Sequence, residues 1–226
     1  TNKSSKKLET NANSKNEKPL IVILDKIEDP HNLGAILRSI DCLGAHGCII
    51  QKRNACQITD TVEKVAAGAC NYVKVARVTN ITESIKYLKE KGVLFVIDEI
   101  QTGIYRTGEF LASNYFELKP DIITMAKGLA GGLPIGLMMT NKKNIFKKGD
   151  HGSTFGGNPL CTKTAVEVLN ILEEKYKAKK IQNTICIFQK ELEKILKKNK
   201  KLFSSKTGVG LMLGLKLKEE RKLQVL

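Results

Sequence analysis

Apolar residues along the chain fall into two kinds of pattern: short unbroken runs that suit buried strands, and runs spaced three or four apart that suit amphipathic helices. Residues 20–24 form the first short run, and Asp29-Pro30 ends it. The helix expected next has apolar positions Leu33, Ile36, Leu37 and Ile40 at helical spacing, with Asn32 placed to cap it. A strand at 48–50, a helix at 59–69, a strand at 72–75 and a helix at 81–91 continue the alternation. Strands separated by helices predict an α/β fold with an open parallel sheet. Short apolar runs return at 94–97, 121–125 and 137–140. A long helical stretch from Pro159 towards Lys198 then predicts two helices meeting near 175–180, with Val166, Leu169, Ile171 and Leu172 on the apolar side, before a strand at 208–217.

With 226 residues and 42% hydrophobic content there is enough chain for one large or two small domains. Residues 1–18 hold one leucine and no aromatic residue, which predicts a disordered linker or tail, with a weak RNA tether through its lysines as an alternative use. The net charge of +15 raises nucleic acid as a partner, yet the excess is mainly lysine spread along the whole chain, which suits a solvated surface. The six cysteines show no C-x-x-C and no histidines at metal-ligand spacing, so buried thiols in a reducing cytoplasm are expected and no metal. No apolar stretch is long enough to span a bilayer or act as an export signal.

The chemistry concentrates at two strand ends. The run at 94–97 delivers Asp98 and Glu99 to the carboxyl end of a strand, where sheets of this class bind ligands. The run at 121–125 ends in Lys127 within a glycine-rich turn. An ion pair at a sheet edge is one reading of this acid and amine. The other is a pyridoxal phosphate site, which needs an amine to bind the aldehyde and a carboxylate to keep the pyridine nitrogen protonated. Glycines at 128, 131 and 132 suit backbone passing close to such a cofactor.

The strings DEIQTGIYRTG, PDIITMAKGLAGGLPIG and HGSTFGGNPLC, in this order, resemble the class III aminotransferases, most closely the acetylornithine and ornithine branch, over residues 94–217. That resemblance implies a partial type I pyridoxal-phosphate large domain. It implies Lys127 as the Schiff-base lysine and proton shuttle, Asp98 as partner of the ring nitrogen and Gln101 near the phenolic oxygen. A lysine in that role is expected to be partly buried. Ser153 and Thr154 would reach the phosphate, in this family usually across a homodimer interface. Tyr105 departs from the family, which more often has glycine there. The implied reaction moves an amino group from an N-acetylornithine- or ornithine-like donor to 2-oxoglutarate.

The first half offers a different site. In NLGAILRS, Asn32 and Gly34 shape a strand-to-helix turn and Arg38 is placed to meet a phosphate or ribose, while an N-cap with a surface arginine is the plainer reading. DPHNLGAILRSIDCLGAHGCII and KVAAGACNYVKVARVTN resemble the SpoU branch of the SPOUT RNA ribose 2′-O-methyltransferases over residues 19–93. That resemblance implies a partial SPOUT-like parallel sheet, RNA binding through Asn32 and Arg38, and S-adenosylmethionine as methyl donor, although the family's donor-binding motifs are absent. The two resemblances meet near Gly92 and Val93. The expected domains are therefore a tail at 1–18, a partial methyltransferase domain at 19–93 and a partial aminotransferase domain at 94–226. Neither parent is complete, and EERKLQVL ends the chain before the second family's terminal domain would close. A chimeric, inactive fragment is a third expectation beside transamination and RNA methylation.

Overall fold

A computed structural model describes residues 2–150 and 152–218. His151 of the HGSTFGG string and the closing EERKLQVL stretch lie outside the described residues. The chain divides into two compact units, the first ending at Leu94 and the second beginning at Phe95.

The first unit opens with a helix where a tail was expected. α1 (Asn2–Ser14) buries Ser5, Leu8 and Ala12, positions three and four apart on one face. Leu8 packs with Ile49, Ala76, Val78, Ile81 and Leu88. The Tyr87 hydroxyl donates to the Glu9 carboxylate, and Lys74 Nζ donates to Asn11 Oδ1 at 2.8 Å. A face built mostly from small side chains orders the segment because tertiary packing completes what its own apolar content lacks.

β1 (Ile21–Leu24), β2 (Gly47–Gln51) and β3 (Val75–Val78) form a parallel sheet in the order β1-β2-β3. α2 (Pro30–Cys42) is capped by Asp29, whose carboxylate accepts from the His31 backbone N–H at 2.9 Å, and not by Asn32 as expected. Proline at the first helical position, needing no N–H partner there, moves the start back and leaves Asn32 inside the first turn. Leu33, Leu37 and Ile40 of α2 pack on β2 residues and on Val62 of α3 (Asp60–Ala66). Gly34 lets the two helices approach: a Cβ there would lie 2.7 Å from the Val65 Cβ. α3 stops short of the expected Ala69 because Ala67 turns left-handed, at φ 51°. A 3-10 turn then takes Ala69–Asn71, so β3 starts later than expected and Tyr72 stays exposed. α4 (Ile81–Glu90), capped by Asn80 on the Thr82 and Glu83 N–H groups, completes the unit.

In the second unit, β4 (Val96–Asp98) pairs parallel with β5 (Ile122–Met125), and β6 (Leu137–Thr140) pairs antiparallel with β5. A short helix, α5 (Ala112–Tyr115), follows the β4 loop. α6 (Pro159–Lys177) and α7 (Lys180–Lys198) meet where the lysine-rich stretch predicts. α6 packs through Ala165, Leu169 and Leu172 onto Ile104, Leu111, Met125 and Leu129. Val166 and Ile171, expected on that face, are half exposed at 51% and 50%. The face is centred one position earlier, on the Cys161–Ala165–Leu169 row. The single strand expected at 208–217 is a hairpin, β7 (Phe203–Val209) and β8 (Met212–Leu217). Gly210, at φ 60°, makes its turn against the backbone of Arg106 and Thr107, leaving no room for a Cβ.

Only part of the thiol expectation holds. Cys48 and Cys161 are buried, Cys56 and Cys70 are half-buried, and Cys42 and Cys186 are exposed. Burial pushes the Cys48 thiol up to about 12. Among the described residues no group of three His, Cys, Asp or Glu side chains could hold a metal, and no helix is long and apolar enough to cross a membrane.

Candidate active site at the β4 and β5 ends

Successive residues of a strand point to opposite sides. Asp98 and Glu99, adjacent at the end of β4, therefore diverge. Asp98 is exposed and lies in register with Thr124 of β5. Its Oδ1 accepts from the Ile100 N–H at 2.9 Å and from the Thr124 hydroxyl at 3.3 Å, so the carboxylate is held from its own loop and from the neighbouring strand. Glu99 is fully buried, at 0% exposure. Its backbone N–H donates to the Thr124 carbonyl at 2.9 Å, extending the β4–β5 ladder past Asp98.

Beyond β5 the chain enters a 3-10 turn, Lys127–Ala130, whose Leu129 and Ala130 are buried. Lys127 itself is exposed, so the partial burial expected of it is not found. Its backbone is left-handed, at φ 51°, a conformation uncommon for a residue with a Cβ. Lys127 Nζ donates to Gln101 Oε1 at 3.3 Å. The two strand ends are thus tied by their side chains: Asp98 to Thr124, Gln101 to Lys127. Arg106 adds a longer contact, its guanidinium donating to the Gln101 carbonyl at 3.4 Å.

The loop between Glu99 and α5 is closed on itself. Ile104 N–H donates to the Phe110 carbonyl at 2.7 Å, and Gly108 N–H to the Tyr105 carbonyl at 3.0 Å. Ile104 and Tyr105 both have positive φ, at 61° and 63°. This accounts for the family's usual glycine at the position of Tyr105. Here the tyrosine is kept by its ring, which lies 4.9 Å from the Tyr176 ring and 5.6 Å from that of Phe110. The Tyr176 hydroxyl donates to Glu109 at 2.8 Å. Burial, then the charges of Glu173 and Glu109, raise the Tyr105 phenol, while the hydrogen bond to Glu109 chiefly raises that of Tyr176.

Ser153 and Thr154 stand elsewhere. Ser153 lines a cleft of about 340 Å³ with Phe155, Asn158, Cys161 and Thr162, and its Oγ accepts from the Gly156 N–H at 3.0 Å. Thr154 is exposed beside it. Among the described residues neither makes a hydrogen bond to Asp98, Gln101 or Lys127. Asn32 and Arg38 are exposed on α2. Arg38, expected near the helix start, lies about 12 Å along the axis from Pro30 at 1.5 Å per residue, beyond reach of the helix N-terminus.

Sequence reasoning placed Glu99 at the strand end without a role. The available signal was its adjacency to Asp98: two neighbouring acids on a strand cannot face the same side.

The family profile for aminotransferase class III matches residues 62–225, beginning within the stretch where the methyltransferase resemblance was read. The acetylornithine aminotransferase of Wolinella succinogenes is 52% identical over 133 residues, covering 59% of this chain and 34% of the relative. That of Lactococcus lactis is 42% identical over 146 residues, covering 64% and 38%. The chain spans about a third of the length of these curated relatives. Among solved structures, the ornithine aminotransferase of Plasmodium yoelii superposes with a TM-score of 0.56 at 30% identity, over 89% of this chain and 51% of that one. The acetylornithine aminotransferase of Elizabethkingia anophelis, at 24% identity and a TM-score of 0.58 over 96% and 55%, shares the fold.

Proposed function

The chain belongs to the class III aminotransferase family, and from that premise we propose that its second unit carries the pyridoxal phosphate centre of a transamination of the acetylornithine and ornithine type. The observation that carries the reading is the contact of Lys127 Nζ with Gln101 Oε1 at 3.3 Å, made across two strand ends that also carry Asp98 and its partner Thr124.

The residues present fit the cofactor's chemistry. An exposed primary amine is open to an aldehyde, and a carboxylate oriented by two donors is suited to a pyridinium N–H. When bound, pyridoxal phosphate supplies a ring that absorbs the electron pair left when an amino acid's α-carbon loses its proton. The chain's own part is to hold and to shuttle. Lys127 is the attachment point, and its Nζ takes up and returns the α-proton. Asp98, fixed through Oδ1, would hold the ring nitrogen in its protonated form. Gln101 orients the Lys127 amine and would contact the cofactor's phenolic oxygen. Ser153 and Thr154 would bind the phosphate from the neighbouring subunit of a homodimer. The amino donor is N-acetylornithine or ornithine-like, the acceptor 2-oxoglutarate, and the compartment the cytoplasm.

Adding pyridoxal phosphate to the folded chain should produce a visible absorption band, fixed by borohydride as a mass adduct on Lys127 and lost in Lys127→Ala. A folded protein without a band, or an adduct spread over surface lysines, would overturn the reading. Asp98→Asn should keep the adduct but slow α-proton exchange of a bound amino acid by about a hundredfold or more. The second reading, RNA ribose methylation through Asn32 and Arg38 with S-adenosylmethionine, rests on sequence resemblance, and salt-dependent RNA binding that Arg38→Ala leaves intact would end it.

A further inference from the structure

Glu99 is the one acidic side chain among the described residues that is fully buried, and the cofactor chemistry above does not use it. Its two oxygens are committed inward. Oε2 accepts from the Thr102 hydroxyl at 2.8 Å and the Ala112 N–H at 2.9 Å, and Oε1 accepts from the Ser113 N–H at 2.7 Å. The last two are orphan donors of the first turn of α5, which has no side-chain cap of its own. The carboxylate thus fastens Thr102, the chain neighbour of Gln101, to the first turn of α5. Gly103 seals the near end: its N–H donates to the Glu99 carbonyl at 3.0 Å, and a Cβ there would come within 2.9 Å of that oxygen. Gln101 sits between two anchored neighbours, Ile100 held by Asp98 and Thr102 held by Glu99.

We propose that Glu99 is a positioning residue for the Lys127 centre: its buried carboxylate closes the loop from Thr102 to Ser113 and so holds the Gln101 amide against the Lys127 amine. The inference rests on the reading of Lys127 as the attachment site. Three donors converge on this one acceptor group, and the negative charge makes each bond stronger than its neutral counterpart. Replacing it by glutamine keeps the volume but leaves one acceptor oxygen where two are used and turns an NH2 group towards a backbone N–H. The loop should then open locally while the β4–β5 pairing persists.

The test uses the full chain in four forms: wild type, Glu99→Gln, Gln101→Leu and the double variant. Pyridoxal phosphate affinity is read from the visible band, and loop closure from amide hydrogen exchange over residues 100–113. Glu99→Gln should weaken cofactor binding about tenfold and speed loop exchange by at least about as much, as expected for loss of a charge-assisted buried bond. Because Glu99 acts through Gln101, the double variant should bind no more weakly than the weaker single one. A merely structural role would lower thermal stability but give additive losses. Additive losses, or wild-type affinity in Glu99→Gln, overturn the proposal. Should Glu99→Gln not fold, Thr102→Val removes one of the three bonds and should show the same non-additivity with Gln101→Leu at about twofold weaker binding; additivity there overturns it equally. A wild-type chain that forms no band removes the functional reading and this role with it, whereas a wild-type band unchanged by Glu99→Gln removes this role alone.

Discussion

Both units run parallel strands into polar turns, but they spend the polar groups differently. After β1 they serve the next helix: Asp29 caps α2, and Asn32 and Arg38 lie exposed along it. After β4 and β5 the polar groups serve one another, Asp98 with Thr124 and Gln101 with Lys127, beside a buried carboxylate that accepts from two backbone N–H groups and a hydroxyl. The backbone differs too. In the first unit the non-glycine residues with positive φ, such as Lys26, Asn54 and Ala67, close turns and a helix end. In the second, Glu117, Asn144 and Lys179 also lie at turns and helix ends, but Ile104, Tyr105 and Lys127 adopt it inside the two motif turns. Strain of order 1 kcal/mol or more per residue persists only where surrounding contacts over-determine it, and such residues cluster at functional sites. Polar groups that satisfy a helix are architecture; polar groups held against each other by a strained backbone are the stronger pointer to chemistry.

The widest separation between the units should appear on removing one acid from each. Glu99→Ala strands two buried N–H donors and a hydroxyl, at about 1–3 kcal/mol for each unsatisfied group, so a loss of about 4 kcal/mol from the second unit is expected. Asp29→Ala removes one exposed cap bond and should cost the first unit about 1 kcal/mol. Urea unfolding followed by circular dichroism, with hydrogen exchange to assign the unit affected, measures both. Equal losses would erase the distinction drawn between them.

Next in size is Leu8→Ala. Leu8 is 2% exposed in the core beneath α4, and its truncation should cost about 2–4 kcal/mol. A loss below about 0.5 kcal/mol would return α1 to the status of a tail.

That helix marks the limit of what was legible in the residues. β5 and β6 could be read because unbroken apolar runs end at polar residues, and the α6–α7 break because lysines crowd it. α1 could not, since among the described residues its buried positions besides Leu8 are Ser5 and Ala12, which carry almost no hydrophobic signal. β7 was missed for a related reason: FSSKTGV belongs to a two-stranded sheet with little burial, so no apolar alternation was required of it. At the site, strand ends located Asp98 and Lys127, while the roles of Gln101, Ser153 and Thr154 came only with the family resemblance. The left-handed backbone of Lys127 was illegible because Gly128, free to adopt that conformation, stands next to it.

A smaller effect tests whether the motif loop is braced from α6. Tyr176→Phe removes the bond to Glu109 but keeps the ring against Tyr105, so about 0.5–1 kcal/mol should be lost and the lysine–cofactor band retained. Tyr105→Gly should relieve the positive φ yet lose two ring contacts. A net destabilisation would show that the rings outweigh the strain, and a net gain that they do not.

The smallest expected effect concerns α1 again and depends on pH. The hydrogen bond to the Glu9 carboxylate, with lesser help from burial and the carboxylate charge, pushes the Tyr87 phenol up to about 12, against about 10 in an unfolded chain. The folded state then holds this proton more tightly than the unfolded state. The contribution is fully present below about pH 10 and is lost as pH rises from there towards about 12. Solvent screening at this partly exposed position keeps it under about 1 kcal/mol. Of the five tyrosines, Tyr87 should titrate last by tyrosinate absorbance, after the also raised Tyr105 and Tyr176, and it alone should return towards about 10 in Glu9→Gln. If Glu9→Gln leaves the titration curve unchanged, the α1–α4 contact is not made in solution. The first unit would then lose the side-chain bond that ties its unexpected first helix to α4.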